Sequence, residues 1–267
     1  MPKVILYKFR DWSNDNHKKS LTHQNVYFAS PSQFNDPFDC AINYRYDKLS
    51  ELEKLEKYIE QIKDEHPLKH NEEIILEANQ WMKEGLLETD AILENNQKLI
   101  RASVNSNVGI LSLTKTKDPI LLWSHYSNDH KGYCIGYDID VLRSDFLAKY
   151  GNPQKVFYEI NVNYSNDYPE IIPRKDITTK EYISIPISTK SIVWSYEQEY
   201  RIFILGATRE LTQVPPEAII EVTMGCKMED KDQIAIGEYV IKNLPHTALY
   251  LAKMHHESFE LVFQRMN

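Results

Sequence analysis

Residues 189–205 read T-K-S-I-V-W-S-Y-E-Q-E-Y-R-I-F-I-L, and the fold turns on how that stretch is taken. Its β-branched and aromatic residues predict one long strand from Thr189 to Leu205, with side chains alternating between two faces. In that register Ser195, Glu197, Glu199 and Arg201 share one face, and Trp194, Tyr196, Tyr200 and Ile202 the other. Two carboxylates and a guanidinium then stand side by side on a rigid support. Repulsion between the glutamates would raise the proton affinity of one, unless a cation such as Arg201 keeps both ionised. The same alternation also fits the solvent face of an antiparallel strand, where Glu–Arg neighbours contribute well under ~1 kcal/mol.

Working outward, the flanking segments supply an α+β pattern. Toward the C-terminus, Pro215-Pro216 leads into a buried strand, A-I-I-E-V-T-M-G, followed by a helix over Glu229 to Asn243 and two terminal strands, A-L-Y-L-A and F-E-L-V-F. On the other side, Val156 to Tyr164 reads as a strand, and the polar run to Ile185 as loop and short helix. Y-C-I-G-Y-D after Gly132 alternates as a strand, and so does V-G-I-L-S-L-T, with Ser112 and Thr114 on one face and Leu111 and Leu113 on the other. Between these two strands Asp118-Pro119 opens a short helix in which Trp123 and Tyr126 share a face and His125 is displaced to the side. Val4 to Arg10 alternates too, Tyr7 and Phe9 opposing Lys8 and Arg10. After the strand V-Y-F-A-S, the loop P-S-Q-F-N-D-P-F-D is dense in turn-forming residues; Asn35 and Asp36 place it as the rim of a pocket or as a plain strand end.

From Asp47 to Val104 the composition shifts to Leu, Glu, Lys, Ile and Asn. Ser50 with Glu53 forms a capping box, Leu52, Leu55, Ile59 and Ile62 recur at helical spacing, and Ile74, Ile75, Ala78, Trp81 and Met82 mark a second helix. Residues 47–105 are therefore expected to be a helical insertion within one domain spanning 1–267, built on a mostly antiparallel two-sheet core.

A chain of 267 residues with 42% hydrophobic content can bury one sizeable core. The net charge of -8 argues against a broad basic surface for duplex DNA. Three cysteines, widely spaced and outside any C-x-x-C pattern, indicate neither a disulfide framework nor a zinc cage. No segment approaches the ~20 apolar residues of a membrane span, and the N-terminus lacks the apolar run of a signal peptide, so a cytoplasmic, soluble protein is expected.

Four segments, L-Y-K-F-R, Y-F-A-S-P-S-Q-F-N-D-P-F-D, L-L-W-S-H-Y-S-N-D-H-K-G-Y and K-S-I-V-W-S-Y-E-Q-E-Y-R, together resemble the bacterial domain of unknown function catalogued as number 2971. More distantly, Arg10, Ser112-Leu113-Thr114 and Glu197-Gln198-Glu199 follow the order of polar strand residues in the ADP-ribosyltransferase superfamily of the arginine, serine, glutamate type, although S-L-T is a loose copy of S-T-S. That resemblance implies glycosyl transfer from NAD. Glu199 would contact the ribose, Glu197 would orient or deprotonate the acceptor, and Arg10 would pair with the phosphate or ribose. Tyr7, Trp123 or Tyr126 would stack on a ring, and Ser112, Thr114, Asn35, Asp36, His125 and Arg201 would complete the NAD site. It also implies a toxin or antiviral defence effector with a macromolecular acceptor (protein, RNA or DNA) and an antitoxin or immunity protein as partner. Two other classes stand beside it: a metal-dependent nuclease or phosphodiesterase using Asp36, His125 and the paired glutamates on Mg²⁺, and a non-catalytic ligand-binding sensor in which Glu197, Glu199 and Arg201 form a structural ion network.

Overall fold

The computed structural model describes residues 3–41, 44–151, 155–174 and 179–267. Strand β1 (Ile5–Arg10) is followed by helix α1 (Asp15–Thr22), whose first turn is capped by the Asn14 side chain, and by β2 (Asn25–Phe28). The segment 47–105 then holds α2 (Glu51–Glu65), α3 (Asn71–Glu84) and most of α4 (Asp90–Asn107). The Ser50–Glu53 capping box is formed at the start of α2. These helices bury Tyr58, Ile62, Ile74, Ala78 and Leu87 in a small cluster of their own, while Leu52 and Ile75, placed on buried faces by spacing alone, are exposed.

The chain returns as β3 (Val108–Thr114), α5 (Ile120–Tyr126), β4 (Tyr133–Asp138) and α6 (Ile139–Tyr150). Helix α5 starts after Pro119 without a side-chain cap, so Asp118 does not play the capping part its sequence position predicted. Then come β5 (Phe157–Asn161), β6 (Asn163–Ser165), α7 (Thr179–Ser188) and β7 (Thr189–Ser191). In the polar run before Ile185, residues 175–178 lie outside the described residues. The remainder is β8 (Glu199–Leu205), β9 (Glu210–Gln213), β10 (Ile219–Met224), α8 (Asp230–Asn243), β11 (Ala248–Met254) and β12 (Leu261–Arg265).

Eight strands form one sheet in the order β12-β11-β10-β4-β1-β3-β8-β5, antiparallel except for the β10–β11 pair. The fold is thus α+β with a mostly antiparallel sheet. In place of a two-sheet core, two half-sheets are joined by a single register pair, Tyr7 with Thr114. By contrast β1 follows β4 from Ile5 to Arg10, and β3 follows β8 along its whole length. Toward its start, β3 exchanges partners: Ile110 and Ala29 exchange backbone hydrogen bonds of 2.9 and 2.8 Å, so the residue just after β2 replaces β1 along that edge. The sheet therefore opens between β1 and β3.

One face of the sheet carries the main core, where Leu6, Leu111, Leu113, Tyr133, Ile135 and Ile202 meet Leu142 and Phe146 of α6 and Ile236 and Val240 of α8. Helix α6 was not expected from sequence, yet Ile139, Leu142, Phe146 and Tyr150 fall on one buried face and Asp138 caps its first turn. The other face packs Phe9 and Cys134 against Trp123 and Leu122 of α5, and Ile110 and Phe203 against Ile187 of α7. Among the described residues no helix is long and apolar enough to cross a membrane.

Thr189 to Leu205 is not one strand. Ile192–Glu197 coils into a 3-10 helix, and Gln198 turns the chain with a left-handed φ of 42° before β8 begins. Fully extended, Lys190 would stand roughly 30 Å from Glu199. The turn instead brings its ammonium within 3.4 Å of that carboxylate, and this ion contact overrides the local β propensity of Ile192, Val193 and Trp194.

Candidate functional site

The opening between β1 and β3 is a cavity of about 510 Å³, within the range of small-molecule sites. Lys8 spans it, donating from Nζ to the Ser112 carbonyl at 2.6 Å where a strand neighbour would otherwise bond. Residues from β1, β3, α5, the loop after β2 and the turn before β8 line it, so chain segments far apart in sequence converge.

On the β8 side lies a buried ion network. Arg201 makes a two-pronged bond to Glu199 (2.9 and 2.9 Å) and another to Asp39 (2.8 and 2.6 Å), and donates to the Ile187 carbonyl at 2.6 Å. Lys190 reaches Glu197 at 2.6 Å, Glu199 at 3.4 Å and Asp39 at 3.7 Å. Exposures of 4% for Glu197, 6% for Glu199 and Lys190, 8% for Asp39 and 0% for Arg201 rule out the solvent-face interpretation of this stretch. Burial alone would push the Glu199 carboxyl up, but Arg201, Lys190 and a hydrogen bond from Ser112 hold it down at about 2. Glu199 is therefore ionised throughout the physiological range. Burial opposes the charge of Lys190 also, yet Glu199, Glu197 and Asp39 outweigh it and raise its proton affinity. Tyr126 donates to Glu197 at 2.7 Å and accepts from Asn35 at 3.5 Å, and burial together with the Glu197 charge keeps its phenol protonated.

On the β1 side the charge is reversed. Arg10 bonds Ser20 at 3.1 Å and the Phe9 carbonyl at 3.5 Å, and among the described residues neither Lys8 nor Arg10 has a carboxylate at salt-bridge distance. The cavity is thus cationic at one end and acidic at the other.

Most of the residues singled out from sequence meet here. Tyr7, Arg10, Asn35, Ser112, Thr114, His125, Tyr126, Glu197 and Glu199 all border the cavity. Glu197 arrives from the turn and not from the strand that carries Glu199 and Arg201. Three do not border it. Trp123 is fully buried against Phe9, with its indole N–H bonded to the Lys117 carbonyl at 2.7 Å, so its ring is not free to stack on a ligand. Asp36 turns its carboxylate onto the Phe38 N–H at 2.9 Å and closes its own turn. Arg201 lies behind Glu199, saturated by carboxylates. Lys8, Lys190, Asp39 and His17 were missed. For Lys8 a signal existed in its alternation with Arg10, but Asp39 and Lys190 acquire meaning only through contacts with residues distant along the chain.

Sheet and cleft together define an α+β protein with a ligand-sized polar cavity. Residues 122–202 match the model of a family described as a protein of unknown function, DUF2971, which supports the resemblance to that family. The matched span is narrower than the four segments that carried the resemblance; it holds Tyr126, Lys190, Glu197, Glu199 and Arg201, while Lys8, Arg10, Asp39 and Ser112 precede it. No curated protein and no solved structure matches the chain.

Proposed function

We propose that this protein is an ADP-ribosyltransferase-like enzyme that transfers a glycosyl group from NAD to a macromolecular acceptor. The observation that carries the reading is the convergence of Arg10, Ser112 and an ionised Glu199 on one cavity. A fixed negative charge stabilises the positive charge that builds on the ribose as the bond to nicotinamide breaks and nicotinamide leaves with the electron pair. Arg201 and Lys190 hold Glu199 in place with little reorganisation, and Ser112 orients it. Glu197, fixed between Lys190 and Tyr126, takes the proton of the attacking acceptor group. Arg10 meets a phosphate of the dinucleotide, and Tyr7 or Tyr126 supplies a ring face. On this reading the cellular role is that of a toxin or defence effector.

The test is incubation with labelled NAD and a cell extract, followed by separation of protein from nucleic acid. It is repeated with Glu199→Gln well below that variant's melting temperature. Turnover should fall by ~10²-fold or more with NAD affinity within a few-fold. Absence of NAD consumption, or full activity in the variant, would refute the assignment.

A second reading, a non-catalytic ligand-binding module, is favoured by the completeness of the ion network, since both Glu199 oxygens are bonded to Arg201. The metal-dependent alternative loses its donors: Asp36 is engaged in a turn, the glutamate oxygens face Lys190 and Arg201, and among the described residues no group of three His, Cys, Asp or Glu is arranged to hold a metal ion.

A further inference from the structure

Buried or half-buried cations elsewhere in this fold are matched by acids. Lys117 is held by Glu221 and enclosed by the rings of Tyr250 and Phe263, Lys190 by Glu197, Arg201 by Asp39 and Glu199, and Arg143 by Glu159. Lys8 and Arg10 are the exception. They stand two residues apart on β1, both at the cavity wall, and repel each other with no carboxylate at bonding distance among the described residues. An unpaired cation in a partly desolvated site is costly, and two together are costlier still. Beside them His17 borders the same end of the cavity and accepts from the Asp11 N–H through Nδ1 at 3.3 Å, which leaves its ring proton on Nε2.

We propose that Lys8, Arg10 and His17 form a phosphate subsite in which Lys8 meets the anion's charge, Arg10 contributes a fork of N–H donors and His17 a neutral one. The phosphate contacts stand independently of the transferase chemistry; the placement of the ligand's sugar toward Glu197 and Glu199 rests on it. Arg10 has guanidinium donors beyond the two used by Ser20 and the Phe9 carbonyl, and a guanidinium pairs well with phosphate oxygens.

Protonation follows from this geometry. Burial, then the Arg10 charge, bring Lys8 down to about 7, with Arg201 acting in the same sense and Glu199 and Glu197 opposing them. Burial, Arg10 and Lys8 bring His17 down to about 4 against the pull of Asp11, so it remains neutral. An arriving phosphate restores the lysine's charge. Lys8 should therefore take up a proton on binding: at pH 8 a group held at about 7 is roughly nine-tenths neutral, so uptake should approach ~0.9 of a proton per anion bound when the anion does not itself titrate.

The probe is inorganic sulfate, a tetrahedral dianion that stands in for a phosphate group and does not itself titrate between pH 6 and 8, titrated calorimetrically into the full chain at pH 8 in two buffers of different ionisation heat. Wild type should bind with uptake close to one proton, and uptake should shrink by pH 6, where Lys8 is already charged. Lys8→Met, which keeps volume and removes the amine, should weaken sulfate binding by ~10-fold or more and abolish the uptake. Failure of wild type to bind millimolar sulfate, binding without proton uptake, or unchanged affinity in Lys8→Met would each overturn the subsite. The wild-type proton count stands even if the variant does not fold. Sulfate binding of this kind without NAD consumption would discard the transferase and leave the subsite; NAD consumption insensitive to Lys8→Met would do the reverse.

Discussion

Replacing Glu199 by glutamine removes one charge and almost no volume, so its effect on stability reads the ion network directly. A carboxyl held at about 2 in the fold, against 4.5 when free, contributes about 3 kcal/mol at neutral pH. The depressed value fixes the sign: the contribution is complete above pH 4.5 and is lost as the pH falls toward 2. In the variant Arg201 keeps its two bonds to Asp39 and Lys190 keeps Glu197, so no cation is stranded. The loss should therefore sit at the low end of the ~3–5 kcal/mol expected when a buried pair is broken. Urea unfolding at pH 7 should show wild type ahead by about 3 kcal/mol, and the gap should fall by about half by pH 3, where the Glu199 carboxyl of the unfolded chain has taken up its proton while the folded one is still ionised. A gap that is absent at pH 7, or equal at pH 7 and pH 3, would show that the carboxylate is not held ionised by its neighbours. The mechanism and the network would then fail together, because both need that charge.

Lys190→Met should cost more, ~3–5 kcal/mol at pH 7, because Glu197 then loses its cation and Asp39 and Glu199 are left with Arg201 alone; the deficit should shrink as the pH is lowered and a carboxylate takes a proton, which the same urea series measures. Lys8 works in the opposite sense to Glu199: its charge is disfavoured in the fold, so wild type should gain stability relative to Lys8→Met as pH rises from about 7 toward 10.5, and a flat difference in melting temperature over that window would contradict it. Gly109→Ala should lower the melting temperature by several degrees, since an added Cβ would collide with the Ala207 carbonyl and stand 2.8 Å from the Phe28 Cβ.

Strands with unlike faces were legible. β3 alternates Ser112 and Thr114 with Leu111 and Leu113 because one side meets the cavity and the other the main core, and β8 alternates Glu199 and Arg201 with Tyr200 and Ile202 because one side meets the ion network and the other the main core. The turn at 192–198 was not legible: Ile192, Val193 and Trp194 have strand propensity, but the first two are exposed, and the turn is held by the contacts of Lys190 with Glu197 and Glu199. Helix α6 was written in the spacing of Ile139, Leu142, Phe146 and Tyr150 and went unread because the strand before it runs straight into its cap at Asp138. Helix α1 buries only Ser20 and Leu21, too little for a periodic signal; its one marker was the cap at Asn14. Asp39 could not be linked to Arg201 from sequence, since the pair spans 162 positions.

The two ends of the cavity hold their charges by different means, and this separates binding from chemistry. At the β8 end each carboxylate is paired with a cation of the protein, and Glu199 is held ionised by Arg201 and Lys190. At the β1 end Lys8 and Arg10 have no carboxylate at bonding distance among the described residues, and the proposed phosphate would complete them. Both ends depend on β1 leaving β3 after one paired residue. Had the ladder continued, an ordinary strand hydrogen bond would occupy the Ser112 carbonyl, Lys8 would have no gap to span, and the acidic and basic groups would be sealed apart. The early end of the β1–β3 ladder, set by Ala29 taking the edge at Ile110, therefore creates the site.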